Sequence, residues 1–297
     1  MTENKYISVM GLLYSGSSAV FDYIRQFEGL GYMANDESRI FMNGISKLYE
    51  IKKKGKEPTE EEVERIRRIF SGDFDESLYS FSGNMKINKA MFERIDKEKS
   101  GKLINKLLKE INGCDLKEFI LLAREFIDNF CSLRVLEKTR VLNNDPGASL
   151  VGTTLLFDKN KSVVVFRNVC DQFVDQINHK TLSSKYNYGP GNNITMENAK
   201  IFVRMLNRKL ELFYRDTKFI KKYYPDHINN IRLVSFESFI KMKKIRDDVS
   251  NFLGLSNPVN KTFFLEQSIL NIGISKDIPK NVRNYITSKV KITNLIK

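Results

Sequence analysis

The chain has 297 residues, 41% hydrophobic and 29% charged, with 49 lysines and arginines against 36 acids and a net charge of +13. That length buries a full core, and no apolar stretch approaches the roughly 20 residues of a membrane-spanning helix. Three cysteines, Cys114, Cys131 and Cys170, are too few and too scattered for a disulfide frame or a metal knuckle. The opening residues carry no signal-peptide pattern, so the expected compartment is the cytoplasm. The positive charge calls for an anionic partner, and no RNP-like aromatic stretch, zinc-finger spacing or recognition helix accompanies it. A nucleotide, a polyanion or a membrane surface fits the charge as well as nucleic acid does, and the charge alone does not choose; no nucleic acid is expected on the strength of the motifs that follow, and peripheral membrane contact stays compatible with the charge.

In chain order, YISVMGLLYSGSSAVFDYIRQF, residues 6–27, opens with an apolar run, continues small and hydroxylated, and ends in helical periodicity. It predicts a strand over about 6–12, a tight loop, and a helix over about 17–28 closed by the glycines of Glu28-Gly29-Leu30-Gly31. From Gly44 to about Phe130 the pattern is helical and rich in Lys and Glu, broken once by SGDFDESLYSFSGN; it reads as a helical insertion beside a sheet. Strand character returns in SLRVLEKTRVL, 132–142, and in KSVVVFR, 161–167, where Val163, Val164, Val165 and Phe166 form the continuous apolar run of a strand buried on both faces.

A helix follows from about Val169 to His179, then the polar loop TLSSKYNYGPGNN and a helix over about 195–222. IRLVSFESFI gives one more strand, and KMKKIRDDVSNFLGL one more helix, closed by Gly254. This alternation predicts an α/β fold, a parallel β-sheet flanked by helices, in one domain over 1–297 with the insertion at about 44–130. Ligands of such sheets sit beyond the carboxyl ends of the strands, where the opening loop lies.

That loop spaces Gly11, four residues, Gly16, Ser17 and Ser18 as the phosphate loop G-x-x-x-x-G-K-S/T does, with Ser17 in the lysine position. Backbone N–H groups of a tight loop and the following helix start form an anion nest, to which Ser15, Ser17 and Ser18 add hydroxyls. Without the lysine that carries the β and γ phosphates, the nest suits a phosphate better than a triphosphate. A glycine-rich strand-to-helix turn also occurs with no ligand at all.

GLLYSGSSAV resembles the 5'-phosphosulfate loop of the sulfotransferases that use 3'-phosphoadenylyl sulfate (PAPS). VVVFRNVCDQFVDQ resembles that family's 3'-phosphate segment, an apolar strand followed by R-D/N-P-x-D-x-x-x-S. VSFESFIKMKKIRDDVSNFLGL is similar to its Y-E-x-L/F strand and helix ending F-L-G, and SILNIGISK to the closing segment in which a basic loop covers the nucleotide. NDESRIF, 35–41, looks like the segment that supplies the base in protein-tyrosine sulfotransferases, and LEKTR, 136–140, like their K-D/T-P strand end. The segments occur in the family's order and span most of the chain, and the helical stretch from about 44 to 130 is not covered. The family's basic residue in the loop is Tyr14 here, the proline after the 3'-phosphate arginine is Val169, and the serine closing that segment is Asp175, which would repel a 3'-phosphate if it pointed inward.

The resemblance implies a P-loop NTPase-like sulfotransferase fold and sulfuryl transfer from PAPS to a hydroxyl, with PAP as product and no metal. It implies Tyr14, Ser15, Gly16, Ser17, Ser18 and Ala19 around the 5'-phosphosulfate, and Arg167, Asp175 and Lys276 around the rest of the nucleotide. Glu37 is the implied base and Lys138 the cation at the bridging oxygen. Arg39 is an expected acceptor contact; the composition of the loop 181–193, with Tyr186 and Tyr188, makes it and the helical insertion the expected acceptor site, for which a saccharide of a bacterial surface or secreted glycoconjugate comes first. The Lys, Ile and Asn bias fits an AT-rich bacterial genome. The residues alone leave two alternatives: a nucleotide or small-molecule kinase on the same cradle, and a non-catalytic relative that only binds PAP. His179, at a helix end, and His227, in the turn PDHINN, have no paired Asp or Cys at a telling spacing and read as structural.

Overall fold

Strand β1, Tyr6–Gly11, is buried at all six positions, as a central strand covered on both faces must be. It belongs to a computed structural model that describes residues 6–32, 44–71, 96–132, 140–144, 149–179, 193–256 and 265–292. The other strands are β2, Leu30–Tyr32, β3, Arg140–Asn144, β4, Asn160–Phe166, and β5, Ile231–Ser235. They form one five-stranded sheet in the order β2-β3-β1-β4-β5. β2 and β3 pair in parallel with Leu30 opposite Arg140 and Tyr32 opposite Leu142. The class expected from the sequence, a parallel sheet flanked by helices, is the one observed.

The helices among the described residues are α1, Ser17–Ile24, α2, Ile45–Lys53, α3, Glu60–Ser71, α4, Lys97–Glu110, α5, Leu116–Ser132, and α6, Leu150–Leu156. They continue with α7, Val169–Asn178, α8, Met196–Tyr223, α9, Phe236–Lys241, α10, Lys243–Leu253, α11, Leu265–Leu270, and α12, Lys280–Lys289. Among the described residues no helix is long and apolar enough to cross a membrane. The chain forms two compact units, Met1–Ser8 with Gly29–Ser162 and Val9–Glu28 with Val163–Lys297.

The first unit is mainly helical. Phe70 of α3 meets Phe126 and Phe130 of α5 edge to face, with ring centroids 5.0 and 5.3 Å apart, an arrangement that aromatic quadrupoles favour. Ser8 donates to the amide oxygen of Asn160 at 2.9 Å, and the Asn160 amide donates to Ser162 at 2.9 Å, so the polar groups on these strands satisfy one another where water cannot reach. Tyr6 donates its hydroxyl to Asp128, and burial pushes the phenol pKa far above its ordinary range. Lys52, itself buried, ion-pairs with Glu57 at 2.7 Å and donates to the Cys114 carbonyl at 3.2 Å.

In the second unit α1 lies near α9: Tyr23 meets Phe239 edge to face at 5.2 Å and shares a hydrogen bond with Ser250 of α10 at 3.1 Å. Gly254, at φ 66°, closes α10 in the left-handed conformation as expected.

Three boundaries differ from the sequence reading. Gly29, at φ 74°, turns the chain into β2, and Leu30 is buried there, where the glycines had read only as a helix exit. α5 runs through Ser132, so the strand expected from that residue is observed only at β3; residues 133–139 lie outside the described ones. SFESFI is not the end of a strand but a helix: the Ser235 hydroxyl accepts from the Ser238 N–H at 3.3 Å, and Phe236, Phe239 and Ile240, at helical spacing, are all buried.

Candidate functional site

The loop after β1 is shaped by its neighbours' need for space. A Cβ at Gly11 would lie 2.6 Å from both the Ser15 and Ser17 hydroxyls, so the two oxygens converge over a residue that has no side chain. Gly16 is left-handed at φ 82°, and a Cβ there would lie 2.2 Å from the ring of Phe236. Leu13 and Tyr14 also have positive φ, 52° and 39°, a conformation that costs a non-glycine residue about 1–3 kcal/mol. The Gln172 amide nitrogen pins this strained turn by donating to the carbonyls of Leu12 and Leu13 at 2.7 and 2.6 Å.

α1 starts directly from the loop. Gly16 is its N-cap and supplies no side-chain cap, so the first N–H groups of the helix are left to other acceptors. The Ser15 hydroxyl is 1% exposed as a residue and has no hydrogen-bond partner. A buried hydroxyl left unsatisfied costs about 1–3 kcal/mol, which an acceptor seated in the loop would recover.

Arg167 leaves β4 at its carboxyl end and is 2% exposed. Its Nη1 ion-pairs with Asp175 at 2.6 Å and donates to the Tyr14 carbonyl at 3.3 Å; its Nη2 donates to the Asn271 carbonyl. The guanidinium lies 5.0 Å from the centroid of the Phe236 ring, a cation–π distance. Its Nε is buried and has no hydrogen-bond partner. The loop after β1, the C-terminal half of α7, the start of α9 and the segment after α11 therefore meet at one guanidinium.

α7 supports this arrangement from one face. Its N-cap Asn168 accepts from the N–H groups of Cys170 and Asp171, and the Asn168 N–H donates to Glu237 at 2.7 Å. Asp171 accepts from the N–H groups of Gly273 and Ser275 at 2.7 and 3.0 Å, which fixes the turn that carries Lys276. Arg283 adds a bond to the Ser275 carbonyl and one to that of Lys276 at 3.1 Å. Cys170 is buried, and burial pushes its thiol pKa up, so it is no ready nucleophile.

Of the residues selected from the sequence, Tyr14, Ser15, Gly16, Ser17, Ser18 and Ala19 lie in the loop and first turn of α1, with Arg167 and Asp175 beside them. Lys276 stands exposed on the turn that Asp171 holds. Asp175 does point inward, to Arg167, and its carboxylate pairs with the arginine. His179 caps the end of α7, its ring 5.4 Å from that of Tyr14 and its Nε2 3.4 Å from Asp175. Glu37, Arg39, Lys138, Tyr186 and Tyr188 lie outside the described residues. Gln172 and Phe236 were not singled out from the sequence, although Gln172 stands one helical turn from Asn168 in a helix whose residues are nearly all buried, a setting in which a polar side chain needs a partner.

No protein-family model matches the sequence, and no curated protein matches it. Among solved structures the chain is similar to the Sulfotransferase Domain from the Synechococcus PCC 7002 Olefin Synthase, at 12% identity and a TM-score of 0.45, over 96% of this chain and 95% of that one.

Proposed function

We propose that the chain is a sulfotransferase that moves the sulfuryl group of PAPS to a hydroxyl, with the donor's 5'-phosphosulfate in the loop 15–18. The observation that carries this reading is the buried, unpartnered Ser15 hydroxyl converging with Ser17 over Gly11, in a nest that has a helix start and no lysine. Sulfuryl transfer asks for such a nest: charge is spread over peripheral oxygens in an in-line displacement, so positioning and fixed dipoles do most of the work. The reading treats the whole chain as one sulfotransferase-like domain, with the helices of about 44–130 as its insertion.

In the reaction the acceptor oxygen bonds to sulfur as the bond from sulfur to the bridging oxygen of the 5'-phosphate breaks, and PAP leaves with that electron pair. Glu37 takes the acceptor's proton, Lys138 steadies the charge on the bridging oxygen, and Arg39, Tyr186 and Tyr188 hold the acceptor. The acceptor proposed first is a saccharide, because the tyrosines and glycines of the sequence 181–193 are residue types that suit a sugar face.

Thermal denaturation with PAP and with Mg-ATP tests the reading. A rise in Tm with PAP and none with Mg-ATP is expected, since mass action stabilises only the state that binds. A rise with Mg-ATP alone would replace the sulfotransferase with a kinase.

A further inference from the structure

Beside the phosphate-type loop the protein has already placed an anion of its own. Arg167 is the only arginine in the stretch from β4 through α7, and its side chain is 1% exposed. Asp175 lies two helical turns into α7, with its side chain 16% exposed and its Oδ2 2.6 Å from Nη1. The Tyr14 carbonyl takes the second N–H of Nη1 and the Asn271 carbonyl one N–H of Nη2, while Nε is buried and has no acceptor. An incoming phosphate that seeks this guanidinium meets a cation whose charge is already neutralised and whose fork is already engaged. It must either settle for the Nε and remaining Nη2 N–H groups or displace the carboxylate.

Displacement has a route. Asp175 is near the end of α7, its side chain is 16% exposed, and its Oδ1 faces the exposed His179 ring at 3.4 Å. The Tyr14 and Asn271 carbonyls, by contrast, belong to main chain that Gln172 and Asp171 hold in place.

We propose that Asp175 is an internal competitor for a second phosphate at Arg167, and that it sets how far the site distinguishes a 3'-phosphorylated nucleotide from one without a 3'-phosphate. The proposal rests on the donor reading above. Asp175 thereby acts on specificity through Arg167; it does not touch the sulfuryl group. Its presence lowers the premium on the 3'-phosphate and leaves the 5'-phosphate contacts of Ser15, Ser17 and the α1 N–H groups unchanged.

The test is calorimetric titration of PAP and of adenosine 5'-phosphate into the wild type, Asp175→Asn and Asp175→Ser. Asn keeps the size and one acceptor for Arg167, which guards against a variant that does not fold. Both variants are expected to raise the ratio of PAP affinity to adenosine 5'-phosphate affinity by roughly 10-fold or more, the scale of one hydrogen bond to a charged group. An unchanged ratio, with both nucleotides still bound, would overturn the competitor role and leave the donor reading standing. If neither nucleotide binds any of the three proteins, the donor reading falls and this inference with it.

Discussion

Ser15, Gly16 and Arg167 earn attention for different reasons. Gly16 is required: its φ of 82° and the Phe236 ring 2.2 Å from where a Cβ would stand exclude a side chain. Ser15 and Arg167 are instead under-used, each with a buried donor that meets no acceptor, a cost that calls for an explanation and that a ligand in the proposed site would remove. All three were legible in the sequence, because a phosphate loop and a charged residue ending an apolar strand are local patterns. That Asp175 takes Arg167 was legible only as a conditional: both are on the page of the sequence, but which way a side chain at a helix end points depends on what surrounds it. The prediction at this scale concerns the proposed base. Glu37→Gln keeps size and hydrogen bonding while removing proton acceptance, so turnover should fall by roughly 10² or more with PAP affinity nearly unchanged. Single-turnover transfer assays beside a PAP titration check it, and a variant that transfers at close to the wild-type rate removes Glu37 from the mechanism.

Among the elements, α7 shows how a buried helix is tied to a site. Asn168, Asp171, Gln172 and Asp175 fall at i, i+3, i+4 and i+7, one face, and bind respectively the helix start, the 273–275 turn, the loop after β1 and Arg167. The helix itself was visible in the apolar residues between them. The partners of Asp171 and Gln172 were not, since they lie about 100 to 160 residues away along the chain and periodicity carries no information at that range. β2 and α9 were misread for simpler reasons: three residues are too few to show alternation, and Phe236, Phe239 and Ile240 can be spaced as a strand's end or as a short helix. Gln172→Ala should free the Leu12 and Leu13 carbonyls from their donor, release the positive-φ turn and quicken amide hydrogen exchange in residues 13–18. The loss of stability is expected at about 1–3 kcal/mol, the cost of buried acceptors left unmet. Exchange as slow as in the wild type would show that the loop holds its shape without α7.

At the scale of the molecule, alternation of strands and helices was enough for the fold class, whereas strand order was not, because hydrophobic pattern says which face is buried and not which strand lies beside it. The net charge of +13 favours a polyanionic nucleotide in the same unspecific way that it would favour any anion. What distinguishes a phosphosulfate site from a general basic surface is the lysine-free cradle, and the central claim is that a nucleotide's 5'-phosphate occupies it. A crystal structure of the protein with PAP measures this directly. The account predicts the 5'-phosphate within hydrogen-bond distance of the Ser15 hydroxyl and of the N–H groups at the start of α1. PAP bound elsewhere, or a cradle with no phosphate in it at millimolar PAP, would contradict it.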